Sequence, residues 1–455
     1  MVSAHLETLV EEIKLSSVVP SIPTGSGKIH ELTNIDLAMK LHYIKGLYFF
    51  NQNSVQGLDI SALKKPMFQL LDGYTAASGR VRRSENGRPF VKCNDSGVRI
   101  VEAKCSKITL EEWMKDMRDG CCEINEQLFY PHALGPELGF APLVFIQFTW
   151  FKCGGLSVGL SWAHVLGDAF AASTFINTWG RIMSDQNQIP PQPLNMPIPT
   201  GKSQFPPNSN AEKPFSLTRI DTDTVNDCWL VPSSCKMETV SFHFTAIKLD
   251  QIASKASGPT VDLQVAKHQY FHLLAALMWR LLAAMRGESE PRVVTICNHE
   301  SDPRNEGNHD EVPSNNSQVI GTVEVEADFK VAGADLSELA KLMEEKMVDE
   351  RSLINEWVEE TESPKSNFIL YGAKLTFVNL EEAEIYGLRI KGEGPVFANY
   401  GVGGVGDDGV VLVLPAPPAN GGGGDCSGGR LVTAILPRDE TLQLKNELRN
   451  EWGVI

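Results

Sequence analysis

The chain has 455 residues and carries 57 acidic against 41 basic side chains, a net charge of −16. Binding to nucleic acid needs clustered cations that neutralise phosphates, and this balance argues against it. With 42% apolar and 22% charged residues the composition is that of a soluble globular protein, and the length exceeds what one hydrophobic core supports, so two domains are expected.

The N-terminal segment MVSAHLETLVEEIKLSSVVP is acidic where a secretory signal is basic and lacks an apolar centre, so no signal peptide is expected. Residues 37–50 (LAMKLHYIKGLYFF) are apolar and aromatic and fit either helix or strand. Residues 61–74 suit an amphipathic helix, and 91–93 and 98–101 read as short strands around the turn Asn94-Asp95-Ser96-Gly97. The run 143–151 (LVFIQFTWF) is rich in aromatic and β-branched residues and predicts a strand. Gly154-Gly155 supplies a tight turn, and 156–162 (LSVGLSW) reads as the returning strand.

Residues 189–215 are rich in Pro, Ser and Asn and lack apolar periodicity. They read as a crossover linker between an N-terminal domain, 1–188, and a C-terminal domain, 216–455. In the second half, 271–285 (FHLLAALMWRLLAAM) predicts a buried helix with Gly287 as its cap. That stretch is too short to span a bilayer and holds Arg280, so no transmembrane segment is expected. Membrane association would be peripheral or through a partner. Residues 298–318 and 415–429 read as surface loops. Helices and strands interspersed in this way predict α/β or α+β layers, each a mixed sheet with flanking helices.

Nine cysteines, an odd number without a CxxC pair, argue against a disulfide scaffold or a four-ligand zinc site and fit a reducing, cytoplasmic setting. Gly401 to Gly406 match GxGxxG, but the segment runs into DDGVVLVLP, a strand rather than the helix a dinucleotide site requires. It reads as a glycine-rich hairpin turn.

His164 follows one residue after the returning strand ends, in AHVLGD, where His164, Gly167 and Asp168 form an HxxxD motif. A histidine there could act as general base on an alcohol or amine attacking an activated carbonyl, an effect of about 10²–10⁴-fold in rate. Asp168 could orient the imidazole or brace the loop, and Gly167 permits the turn between them. The alternative is a hydrogen-bonded histidine at a strand end with Asp168 as a loop cap. No GxSxG elbow occurs, and HxxxD has no nearby third ligand for a metal, so neither a bound cofactor nor a metal is expected. Trp162, Trp279 and Arg280 read as packing residues, with Ser161 flanking the motif and Cys153 a small buried side chain.

The blocks LTNIDLAMKLHYIKGLYFF, SGRVRR, KCNDSGVRIVEA, PLVFIQFTWFKCGGLSVGLSWAHVLGD, LAALMWRLLAAMRG and YGAKLTFVNL, in this order, resemble the BAHD family of plant acyl-CoA-dependent acyltransferases over nearly the whole chain. The resemblance implies two chloramphenicol-acetyltransferase-like domains joined by a long crossover. A solvent channel between them would admit acyl-CoA and the acceptor from opposite sides. It places His164 at the general-base position and Asp168 at the motif's structural position, and it suggests a monomer.

The family's second motif, DFGWG, is matched here by Asn399-Tyr400-Gly401-Val402-Gly403, with Asn for Asp and Val for Trp. In the family that Asp pairs with an arginine, whose place Glu300 would take. The altered motif, with LSSVVP and FANYGVGGVGDDGVVLVLP, resembles the eceriferum/glossy branch. That resemblance implies a role in cuticular wax, promoting very-long-chain fatty acyl elongation beside an elongase condensing enzyme at the endoplasmic reticulum. The other open readings are a conventional O- or N-acyltransferase with acyl-CoA as co-substrate, and a scaffold with a closed site.

Overall fold

The computed structural model describes residues 8–118, 122–130, 139–184, 213–220, 235–257, 270–299, 316–360, 367–418 and 428–454. Most of the 189–215 segment, Glu300 and the centre of 415–429 lie outside the described residues. The first half supplies strands β1 (Glu11–Val18), β2 (Ile29–Glu31), β3 (Tyr43–Phe50), β4 (Arg80–Arg83), β5 (Pro89–Lys92), β6 (Val98–Cys105), β7 (Val144–Phe151) and β8 (Leu156–Ala163). Its helices are α1 (Asn34–Ala38), α2 (Gln52–Val55), α3 (Ile60–Gly73), α4 (Leu110–Arg118) and α5 (Ala169–Ser184). The second half supplies β9 (Thr218–Ile220), β10 (Met237–Phe244), β11 (Val293–His299), β12 (Gln318–Glu324), β13 (Val348–Asp349), β14 (Asn367–Ile369), β15 (Leu375–Asn379), β16 (Phe397–Gly403), β17 (Val410–Pro415) and β18 (Arg430–Pro437). With them come α6 (Ala246–Ser257), α7 (Tyr270–Arg286), α8 (Leu336–Glu345), α9 (Arg351–Glu360) and α10 (Arg438–Trp452).

Two mixed sheets form the α/β frame: a six-stranded one ordered β1-β6-β7-β8-β3-β16, and a seven-stranded one ordered β10-β18-β17-β15-β11-β12-β13. The ambiguous segment 37–50 divides. Thr33 and Asp36 close a capping box on the short α1, and the chain then extends into β3. β3 lies between β8 and β16 and is buried on both faces, which is why its sequence is apolar without alternation. The hairpin β7–β8 forms as the glycine pair implies, with Gly154 at φ +82° and Val144 opposite Trp162. Helix α3 starts at the Asp59 cap and buries Leu63, Met67, Leu70 and Leu71 on one face. Helix α7 packs on the seven-stranded sheet with Trp279 wholly buried, its indole N–H donating to the Pro291 carbonyl.

The two halves interlock. β16 comes from the second half yet completes the first sheet, antiparallel to β3 with Phe397 opposite Phe49. Gly46 lies opposite Tyr400, and a Cβ at Gly46 would stand 3.1 Å from the Tyr400 ring. The missing side chain lets that ring cross β3, where the Tyr400 and Tyr48 hydroxyls bond to each other. From the other side, the buried Glu350 carboxylate takes the backbone N–H groups of Phe215 and Ser216, tying the end of the 189–215 segment to the second sheet at Thr322.

Two expectations change. The glycine-rich segment 401–406 is not a hairpin turn, because β16 and β17 belong to different sheets. It is a crossing, and its glycines permit close backbone approach: a Cβ on Gly406 would lie 2.6 Å from the Gly372 carbonyl oxygen. The segment 298–318 is not loop throughout either, since His299 and Gln318 face each other as the ends of β11 and β12. Both ladder partners were hidden by the polar sequence between them. Among the described residues no helix is long and apolar enough to cross a membrane.

Gly159 on β8 tests the packing of the first sheet. A Cβ there would sit 2.1 Å from the Leu128 carbonyl oxygen. Gly159→Ala is expected to destabilise the protein by about 1–3 kcal/mol, the usual cost of overpacking, read as a lowered midpoint in urea or thermal unfolding.

Candidate active site at the seam of the two sheets

β8 ends at Ala163, and His164–Leu166 make a short 3₁₀ turn. Gly167 follows with φ +135°, a backbone region that side chains disfavour. The turn drops Asp168 at the start of α5. One carboxylate oxygen of Asp168 accepts from the N–H groups of Phe170 and Ala171 at 3.0 and 3.1 Å. The other faces the Ser317 N–H and hydroxyl at 3.3 Å. Asp168 therefore caps α5 and braces residue 317 of the second half. Its carboxylate makes no hydrogen bond to the His164 ring.

The His164 imidazole is wholly buried. Its Nε2 lies 3.0 Å from the Tyr371 hydroxyl, which donates onward to Gln318 Oε1 at 2.9 Å. A second buried histidine, His42, fixes the Tyr371 backbone: its Nε2 accepts from the N–H groups of Leu370 and Tyr371 at 3.1 and 3.3 Å. The His42 carbonyl in turn accepts from the His164 N–H. Asn316 Nδ2 bridges the His164 carbonyl and Asp36 Oδ1 at 3.0 and 2.7 Å. The ends of β3 and β8 from the first half and residues 316–318 and 370–371 of the second thus meet at one imidazole.

Burial lowers the proton affinity of His164, opposed by the Asp168 carboxylate, and burial pushes the Tyr371 phenol well above its ordinary range. His42 is pushed down to about 3, by burial first and by the neighbouring His164 second. At neutral pH the cluster is uncharged on both rings and the phenol. The family resemblance led us to expect His164 facing an open channel. Instead Tyr371 covers its Nε2. Chemically, the arrangement could present a neutral base to an acceptor only once that hydroxyl moves.

Asn399 and Gly401 lie further along β16, while Gly403 at its end stands opposite Tyr43 with its backbone beside the His42 imidazole. The Asn399 carboxamide donates to the Ser241 hydroxyl at 3.0 Å and accepts from the Thr433 hydroxyl at 2.8 Å. Two hydroxyls partner the carboxamide, and Glu300, expected at the place of the family's arginine, lies outside the described residues. Trp162 is buried with its indole N–H on the Gly167 carbonyl, bracing the turn below His164, and Ser161 is buried beside it. Arg280 is half-buried on α7 near the Trp452 ring. Cys153 is half-buried and lines a separate cleft of about 1080 Å³, with Leu110, Met114, Ser241, His243 and Phe397. That cleft opens at the end of β3 opposite His164. Among the described residues no three His, Cys, Asp or Glu side chains are grouped as for a metal ion. Sequence reasoning missed His42, Tyr371, Gln318 and Asn316. LHY carried a weak signal, a histidine inside an otherwise apolar run.

A pair of interlocked mixed sheets with an HxxxD histidine at their seam defines a protein of the acyltransferase type. The chain belongs to the Transferase family, whose model matches residues 8–440, that is, to the BAHD acyltransferases and within them to the eceriferum branch. It is 37% identical to Protein ECERIFERUM 2 of Arabidopsis thaliana, over 97% of this chain and 98% of that protein. The fold is similar to vinorine synthase, with a TM-score of 0.63 at 20% identity, covering 95% of this chain and 96% of that one. It is also similar to F. graminearum TRI101 complexed with coenzyme A and deoxynivalenol, with a TM-score of 0.67 at 14% identity, covering 94% and 98%.

His42 sets an acid sensitivity. Its folded-state pKa near 3 lies below the ordinary 6.5, so its contribution is complete above about pH 6.5 and is lost as pH falls toward 3. Between about pH 7 and pH 5 the wild type is expected to lose about 2 kcal/mol through this group, and His42→Gln is expected to lose correspondingly less. Urea unfolding of both proteins at the two pH values checks this. Equal losses would remove His42 from the account.

Proposed function

We propose that this protein promotes very-long-chain fatty acyl elongation for cuticular wax, acting beside an elongase condensing enzyme. The observation that carries this reading is the near full-length likeness to ECERIFERUM 2. The occupied Nε2 of His164 supports it, because assistance to another enzyme does not need a free base here. The protein would act as a monomer, peripheral at the endoplasmic reticulum, and handle an acyl chain or its carrier through contact with the condensing enzyme.

A second reading is favoured by the intact His164-Gly167-Asp168 turn and by the fold shared with a coenzyme A-bound transferase. In it acyl-CoA is the co-substrate. His164 takes the proton of an acceptor alcohol or amine, the acceptor attacks the thioester carbonyl, and CoA leaves as the thiol. The passage would run along the seam of domains 1–188 and 216–455.

Co-expression with a plant elongase condensing enzyme in yeast separates the two. Acyl products are expected to lengthen relative to the condensing enzyme alone, and His164→Ala is expected to retain that lengthening. Loss of lengthening in a folded His164→Ala protein would favour transfer chemistry. No lengthening with the wild type would end the elongation reading.

A further inference from the structure

A general base must hold the atom it deprotonates within about 2.6–3.2 Å. Tyr371 Oη stands 3.0 Å from His164 Nε2, inside that range, and it is itself a hydroxyl. We infer that Tyr371 fills the acceptor position of the site: its phenol sits on His164 where the hydroxyl of an acceptor alcohol would be deprotonated. Transfer at His164 then requires Tyr371 to leave. The inference deepens the transfer reading of the site and rests on His164 as the family's base.

The tyrosine is not a surface side chain that has drifted inward. It is wholly buried, and its backbone is held from two sides. His42 accepts its N–H, and its carbonyl accepts from Gly406 N–H at 2.9 Å. The next residue, Gly372, has φ +83°, and a Cβ there would meet the Gly406 carbonyl at 2.4 Å. This backbone has no room to slide, so the phenol is presented to His164 at a fixed distance. Removing the ring would leave His164 Nε2 and Gln318 Oε1 as two buried groups without partners. A small alcohol matches both: turned to Gln318 Oε1 its proton repeats the bond that the phenol makes now, and turned to His164 Nε2 it is placed for removal. The ligand class that fits is therefore a hydroxyl on a short or slender apolar stem.

The full-length protein is treated with diethylpyrocarbonate, and modification of His164 is followed by peptide mass spectrometry against the exposed His243. Wild-type His164 is expected to react at least about tenfold more slowly than His243, and Tyr371→Ala to raise the His164 rate at least about tenfold. With an acyl-CoA and a short primary alcohol, Tyr371→Ala is expected to release free CoA, and the double variant with His164→Ala to release none above background. Wild-type His164 as reactive as His243 would overturn the inference. So would a folded Tyr371→Ala protein with His164 still shielded. A reactive His164 that releases no CoA would overturn the acceptor assignment while leaving the elongation reading intact, since that is measured by chain length in yeast. Tyr371→Phe keeps the ring and removes only the oxygen. Its His164 Nε2 resonance in ¹⁵N spectra is expected to move, and an unmoved resonance would also overturn the inference.

Discussion

Burying an imidazole between two sheets obliges the fold to supply it with partners, and most of this molecule's seam follows from that obligation. His164 comes from the first half, and its ring partner Tyr371 comes from the second. The backbone of Tyr371 is satisfied in turn by His42 of the first half. Asn316 of the second half binds both the His164 carbonyl and Asp36. A buried polar group left unpaired costs about 1–3 kcal/mol. Separating the halves would orphan several at once, so the cluster acts as a polar clamp between them. The same clamp closes the site. Any ligand that reaches His164 must replace the bonds it breaks.

The strand exchange works in the same direction. β16 leaves the second half to pair with β3, and Gly46 gives up a side chain so that the Tyr400 ring can cross. The Asn399 carboxamide on β16 then reaches back to Ser241 and Thr433 of the second sheet. A strand bonded laterally to one sheet and by its side chain to the other cannot shift register without losing both. Hydroxyl partners satisfy that carboxamide without burying charged groups, which avoids the desolvation an ion pair would incur there.

Local elements were legible in the residues because their signals are local. The β7–β8 hairpin follows from two apolar runs around Gly154-Gly155, and α7 from its largely apolar sequence and Gly287. His164 and Asp168 stood out through their spacing. Tyr371 did not, being 207 residues away and flanked by nothing that marks a site. The glycines at 401–406 were read as a hairpin because a glycine-rich break between two strands has the same sequence whether the strands pair or part company. Which sheet a strand joins depends on distant partners, and a period of two carries no information about them.

The HxxxD spacing itself has a sufficient structural cause in this chain. A strand ends at Ala163, one 3₁₀ turn carries the chain around, Gly167 takes a backbone angle few other residues tolerate, and Asp168 caps the next helix. Each position is required by the turn, whatever chemistry follows. The motif therefore does not distinguish a base from a bonded core histidine. The distinction rests on one atom, His164 Nε2, and on what stands in front of it. Here that is a phenol oxygen from the other half, with its proton directed to Gln318. A chain that carries the HxxxD turn can thus hold its histidine behind another side chain, and here that side chain is Tyr371.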